Sequence, residues 1–229
     1  MKNLVFVCGA DTGAGKTVIT ALLTGYARQN GIDAVALKPF CSGSREDVHF
    51  LQLFQQSCLP DDTINPWFFQ KPLAPYAAIK IKTSKNIFKR PLNIDSIIGY
   101  LGEICHQHKI VFVEGIGGLM VPLMKNFLFI DLISRCGAPA ILVSKNRLGA
   151  INHTLLSVNI LKYYGIKCRC IVLMNEEKPD LSARTNSDII AEFSGEIEVF
   201  EIPFLRDKSP DICQEKKVAK KLKKILALF

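Results

Sequence analysis

Apolar, β-branched runs recur along the chain with helix-like stretches between them: Leu4 to Cys8, Ala34 to Leu37, Ile110 to Val113, Ala140 to Val143, Cys168 to Met174 and Ile197 to Ile202. These runs are continuously apolar rather than alternating, so both faces of each predicted strand are expected to be covered, as in a parallel sheet flanked by helices. Residues 16 to 29, 47 to 56, 94 to 106, 151 to 164 and 182 to 193 read as the crossover helices, the last opened by Ser182 as its N-cap. The pattern predicts an α/β protein with a doubly wound, mostly parallel sheet, built as a single domain over residues 1 to 229. Ligands are then expected at the strand C-termini. Residues 57 to 93 break the pattern with Pro60, Pro66, Pro72, Pro75 and Pro91 and the lone tryptophan, Trp67, and predict an irregular excursion over that edge.

The end of the sequence changes the meaning of the charge. The formal net charge is +8, but residues 214 to 229 hold six lysines against Glu215, and the remainder is nearly balanced. Val218, Leu222, Ile225 and Phe229 fall on one stripe of a predicted amphipathic helix, the lysines on the other. The expectation is a helix docked on its own sheet, with no nucleic-acid or membrane partner. Leu4 to Cys8 is too short for a membrane span or signal sequence, and eight scattered cysteines without zinc spacing read as reduced, small hydrophobic residues. Both point to the cytoplasm.

The first strand runs directly into Gly9-Ala10-Asp11-Thr12-Gly13-Ala14-Gly15-Lys16-Thr17 and then an apolar segment from Val18 to Tyr26. Strand, glycine-rich loop and helix form the context of a P-loop: backbone amides curl round phosphate oxygens, Lys16 reaches the β and γ phosphates, and the Thr17 hydroxyl binds magnesium. The usual spacing puts a glycine at position 10, where this chain has Ala10 and carries Gly9 one residue early.

Other strand ends add chemistry. Lys38-Pro39-Phe40-Cys41-Ser42-Gly43 brings a lysine suited to clamp a phosphoryl or carbamate anion, followed by a hydroxyl. Asp47 opens the next helix, as a dipole partner or a magnesium ligand. Val113-Glu114-Gly115-Ile116-Gly117-Gly118 delivers a carboxylate into a glycine-rich loop, where P-loop proteins keep a magnesium carboxylate. Gly149-Ala150-Ile151-Asn152-His153 opens a helix whose N-terminus suits a carboxylate, with His153 read as structural. Asn175 and Pro203-Phe204-Leu205 end the last two strands with an amide and an apolar wall that suit a purine.

Taken together, Gly9-x-Asp11-Thr12-x-x-Gly15-Lys16-Thr17, Lys38-Pro39-x-x-Ser42-Gly43, Val113-Glu114-Gly115-x-Gly117-Gly118, Gly149-x-Ile151-Asn152-His153 and Asn175 resemble dethiobiotin synthetase in order and spacing, as do Phe69-x-x-Pro72-x-x-Pro75 and Arg184-Thr185-Asn186. The resemblance implies an ATP- and Mg2+-dependent cyclo-ligase that converts 7,8-diaminononanoate and CO2 to dethiobiotin, ADP and phosphate through a carbamate and its phosphorylated form. It implies catalytic roles for Thr12, Lys16 and Lys38, and substrate contacts from Ser42 and from Ala150, Ile151 and Asn152 across a homodimer. It places ATP on Gly13, Ala14, Gly15, Lys16, Thr17, Val18, Asp47, Glu114, Gly115, Ile116, Gly117, Asn175, Pro203, Phe204 and Leu205, and the metal on Thr17, Asp47 and Glu114. The chain departs from the family in its short Gly43 to Asp47 spacing, in Tyr76 and in Glu176.

Two other readings share the P-loop. A partition or septum-positioning switch ATPase would use the basic terminal helix as a tether, but such proteins carry a lysine where this chain has Asp11. An amidotransferase-type ligase of the cobyrinic acid diamide synthase kind would need an added glutaminase domain.

Overall fold

Continuous burial along whole strands decides the architecture. The computed structural model describes residues 1–81, 86–207 and 209–229. In chain order, β1 (Leu4–Gly9), α1 (Lys16–Gln29) and β2 (Ala34–Leu37) lead into β3 (Phe40–Ser42), α2 (Glu46–Phe54), α3 (Asp61–Ile64), β4 (Trp67–Phe69), α4 (Pro75–Lys80) and β5 (Ile87–Phe88). Then come α5 (Ile94–Gln107), β6 (Ile110–Gly118), β7 (Pro122–Met124), β8 (Phe127–Leu128), α6 (Phe129–Cys136), β9 (Ala140–Lys145), α7 (Ala150–Tyr163), β10 (Cys168–Met174), α8 (Asn186–Ser194), β11 (Glu198–Ile202) and α9 (Lys216–Leu226). The six predicted strands make one parallel sheet in the order β11-β10-β9-β1-β6-β2. Every residue of β1 and β2 is buried, as strands covered on both faces require.

The chain leaves β1 toward β2 on one side and later returns to place β9 on the other, so the crevice at the C-terminal end of β1 is the point where strand order reverses. The loop from Ala10 to Gly15 occupies that crevice. At the sheet edge, the buried Gln55 side chain substitutes for a neighbouring strand: its Oε1 accepts from the Ala36 amide at 3.0 Å and its Nε2 donates to the Ala36 carbonyl at 3.4 Å. That satisfies an edge that would otherwise be open to further pairing.

The excursion differs from its expectation, apart from residues 82–85, which lie outside the described residues. It is organised around Trp67 rather than irregular. β4 pairs parallel with β3 and antiparallel with β5 as a second, three-stranded sheet. Trp67 is fully buried, stacked on Phe40 with centroids 5.3 Å apart and met edge-on by Tyr100 at 5.5 Å. The buried Asn65 amide donates to the carbonyls of Lys38 at 2.9 Å and Pro39 at 3.0 Å, fixing the chain just past β2. Prolines keep these elements short; the aromatic stack makes them definite.

Other boundaries also moved. The hairpin of β7 and β8 and the eight-residue α6 have no counterpart among the predicted elements, being too short for periodicity to signal. Ser182 caps no helix: it sits in a 3-10 turn, Leu181–Arg184, whose Ser182 and Ala183 amides are capped by Asp180, and α8 begins at Asn186. In α9, Val218, Leu222 and Ile225 are fully buried against the protein's own body, as expected, but the helix ends at Leu226 and Phe229 lies beyond it, 40% exposed. No helix among the described residues is long and apolar enough to cross a membrane.

Replacing Trp67 with alanine is expected to lower unfolding stability by about 3–5 kcal/mol, the range for truncating a fully buried aromatic, as read by urea denaturation followed by circular dichroism.

Candidate active site

The displaced glycine of the loop has a steric reason. A Cβ on Gly9 would stand 2.7 Å from both the Asp11 carbonyl and Lys16 Nζ, because the lysine folds back across the end of β1. Lys16 Nζ donates to the Asp11 carbonyl at 3.2 Å. Gly13 and Gly15 take φ of 71° and 97°, left-handed values that favour glycine. Gly15 is the N-cap of α1 and offers no capping side chain, so the first amides of the helix face the loop's concavity. A side chain at Gly15 would strike Met174 Cγ at 2.8 Å, so the loop packs directly on the end of β10.

Opposite the loop, β6 and β2 bring opposite charges together. Glu114 is 1% exposed, and its Oε1 accepts from Thr17 Oγ1 at 2.7 Å and from Lys38 Nζ at 2.6 Å. Lys38 also pairs with Asp47, in the first turn of α2. Burial disfavours the charged form of Lys38, but Glu114 and Asp47 outweigh it and hold its pKa above the ordinary lysine value. For Lys16 burial prevails over the pull of Glu114, with Lys38 adding repulsion, and its pKa is lowered. Burial pushes the nearby Cys41 thiol up to about 11, so it is a neutral thiol at neutral pH and no ready nucleophile.

Thr12, Gly13, Ala14, Gly15, Lys16, Thr17, Val18, Lys38, Ser42, Asp47, Glu114, Gly115, Ile116 and Gly117 line one cavity of about 390 Å³. The glycine-rich loop, both lysines, the hydroxyl and the carboxylates singled out in the sequence thus line one cavity. The segment after Glu114 is not a loop, however: β6 continues to Gly118, which still pairs with Gly9. Gly115 has no room for a Cβ beneath the Phe129 ring, and Gly117 has a φ of 62°.

The remaining predicted residues separate into two groups. Ala150 lines a smaller cavity of about 200 Å³ with Asp11, Thr12 and Arg147, next to an exposed His153 that is not a packing residue. Ile151 is half-buried and Asn152 exposed; within one chain this helix start does not share the cavity of Ser42 and Lys38. Asn175, Pro203, Phe204 and Leu205 come together at the ends of β10 and β11 and line an apolar cavity of about 150 Å³ with Val18 and Met174. Asn175 also borders a cleft of about 540 Å³ with Asn146, Arg184 and Phe204. The buried Asn146 was missed and Asn186 was noted only within the Arg184-Thr185-Asn186 resemblance, because their amides gain meaning as a network only from partners 29 and 40 residues away.

Thr17, Asp47 and Glu114 suit a magnesium ion. Glu114 Oε2 is buried with no hydrogen-bond partner, an acceptor that a cation would satisfy.

A glycine-rich loop at the switch point of a parallel sheet, leading into a helix beside a buried carboxylate, defines a P-loop nucleotide-binding protein. The protein family described as "AAA domain" matches residues 3–211. Among solved structures, the MinC:MinD cell division protein complex of Aquifex aeolicus superposes with a TM-score of 0.61 at 14% identity, over 98% of this chain and 94% of that one. The ParA family ATPase of Chlorobium tepidum gives 0.60 at 12% identity over 99% of both. These likenesses describe the fold alone. Sequence resolves the family: the ATP-dependent dethiobiotin synthetase BioD of Bacillus licheniformis is 34% identical over 90% of this chain and 87% of its own. That of Nitrosopumilus maritimus is 30% identical over 91% and 92%, and that of Akkermansia muciniphila 34% over 85% and 88%. The chain belongs to the ATP-dependent dethiobiotin synthetase family.

Gly9→Ala, whose methyl group would collide with Lys16 Nζ and the Asp11 carbonyl, is expected to weaken ATP binding by about tenfold or more in isothermal titration calorimetry.

Proposed function

We propose that the protein uses ATP to carboxylate and close 7,8-diaminononanoate to dethiobiotin, with the roles below carried by residues of the large cavity. The observation that carries this reading is the meeting of two buried lysines, Lys16 from α1 and Lys38 from the end of β2, with the hydroxyls of Thr12 and Ser42 around one cavity of about 390 Å³. A nucleotide switch has no need of Lys38 and Ser42. A ligase that handles two anions, a carbamate and a transferring phosphoryl group, needs such clamps more than a protein nucleophile.

In this reading one substrate amine attacks CO2 and loses a proton, giving a carbamate that Lys38 and Thr12 stabilise while Ser42 orients the diamine. A carbamate oxygen then attacks the γ-phosphorus, with ADP leaving and Lys16 following the charge from γ to β phosphate. The second amine attacks the activated carbonyl, phosphate departs, and the cyclic urea closes. Lys38 is held in place by Glu114 and Asp47, so its orientation is set before the anions arrive. Thr17, Asp47 and Glu114 would hold magnesium, which would supply charge neutralisation at the phosphates. The nucleotide lies on residues 13 to 18 and 114 to 117, with adenine beside Asn175 and Pro203 to Leu205.

Ala150, Ile151 and Asn152 are assigned to the substrate tail carboxylate of a second copy in a homodimer. Two features support this: the α7 start lies outside the cavity of Ser42 in its own chain, and α7 exposes Leu148, Leu156 and Tyr163 at 82%, 60% and 83% on and beside it. The buried apolar face of α9 argues against a tether. Eight free cysteines suit a reducing compartment, the cytoplasm.

With magnesium, ATP and bicarbonate, the purified protein is expected to release ADP only when 7,8-diaminononanoate is added, with dethiobiotin detected by mass; diamine-independent turnover stimulated by DNA or lipid would overturn the reading. Lys38→Ala is expected to lower turnover by about 100-fold or more while ATP affinity changes by less than about tenfold. A loss of ATP affinity equal to that of Lys16→Ala would remove Lys38 from the transferring group.

A further inference from the structure

Three asparagines beside the base cleft form a chain with a fixed direction. Asn186, 1% exposed, donates its Nδ2 to the Arg147 carbonyl at 3.1 Å, to Ser182 Oγ at 3.3 Å and to Asn146 Oδ1 at 2.9 Å. Asn146, also 1% exposed, donates its Nδ2 to Asn175 Oδ1 at 2.7 Å and to the Ala183 carbonyl at 3.3 Å. Asn175 then donates its own Nδ2 to Glu201 Oε2 at 3.3 Å.

An amide alone is symmetric in shape, and its two ends are told apart by its partners. Here the partners leave no choice. Backbone carbonyls accept and never donate, so Arg147 and Ala183 fix the nitrogen ends of Asn186 and Asn146, and the Glu201 carboxylate holds that of Asn175. Reversing any one amide would set N–H against N–H or oxygen against oxygen in a buried network.

We propose that Asn146 and Asn186 are positioning residues that lock the amide polarity of Asn175 and so make the base cleft select adenine. The proposal rests on the reading of Asn175 as the base contact. After its internal bonds Asn175 keeps one N–H and one oxygen lone pair, on fixed sides, where it borders the cleft with Asn146, Glu201 and Phe204. An adenine edge offers an amino donor beside a ring-nitrogen acceptor and completes both. Hypoxanthine carries a carbonyl in place of that amino group and sets oxygen against Asn175 Oδ1, so the fixed amide rejects it.

Binding of ATP, ITP and tripolyphosphate in the presence of magnesium, measured by calorimetry, tests this with a readout that needs no turnover. In Asn146→Asp the carboxylate still accepts from Asn186 but sets an acceptor against Asn175 Oδ1, so the donor that fixes the Asn175 amide is lost. The wild-type protein is expected to favour ATP over ITP by about tenfold or more, and N146D to erase that ratio while tripolyphosphate affinity stays within about threefold. Asn146→Leu, which removes the polarity without adding charge, is expected to lower the ratio as well and covers the case in which N146D does not fold. If both variants keep the wild-type ratio while Asn175→Ala loses it, the relay is wrong. If Asn175→Ala itself keeps the ratio, the base-contact reading falls and the proposal with it. Equal loss for all three ligands would leave the asparagines a structural role only.

Discussion

A carboxylate 1% exposed inside a parallel sheet must be matched by a cation and by hydrogen bonds, or its burial goes uncompensated. Glu114 meets that requirement through Lys38 and Thr17, and by doing so ties together the ends of β6, β2 and α1. Asp47 then fastens α2 to the same ammonium. The groups that hold the crevice together are those assigned to act on the nucleotide and the carbamate, so removing any one of them disturbs architecture and chemistry at once.

The second, three-stranded sheet serves the same crevice from outside. Lys38 and Ser42 sit at the two ends of a short stretch whose carbonyls are gripped by Asn65 and whose Phe40 is pinned by Trp67. A flexible segment there would cost order each time the anions bound; a pinned one has met that cost during folding. The proline-rich segment therefore acts less as a cover than as a buttress.

Much of the fold was legible because burial on both faces leaves an unmistakable mark: Leu4 to Cys8 and Cys168 to Met174 read as strands without help. Lys38 and Glu114 were legible as charges placed directly after apolar runs. What stayed hidden depends on distant partners. Nothing near Gln55 announces that it imitates a strand, nothing near Asn146 announces its alignment with Asn175 and Asn186, and α6 is too brief for its period to show. The strand after Glu114 read as a loop because its glycines suit one; they serve instead to admit the Phe129 ring and to turn beside Thr12.

The contact between Gly15 and Met174 has a mechanical meaning. Gly15 heads the loop assigned to the phosphates, and Met174 precedes the asparagine assigned to the base, so these two assigned ends rest on one another with a single side chain as the spacer. The protein thereby carries a built-in gauge: the span from cradle to cleft is set by the thickness of one thioether, not by the reach of a loop.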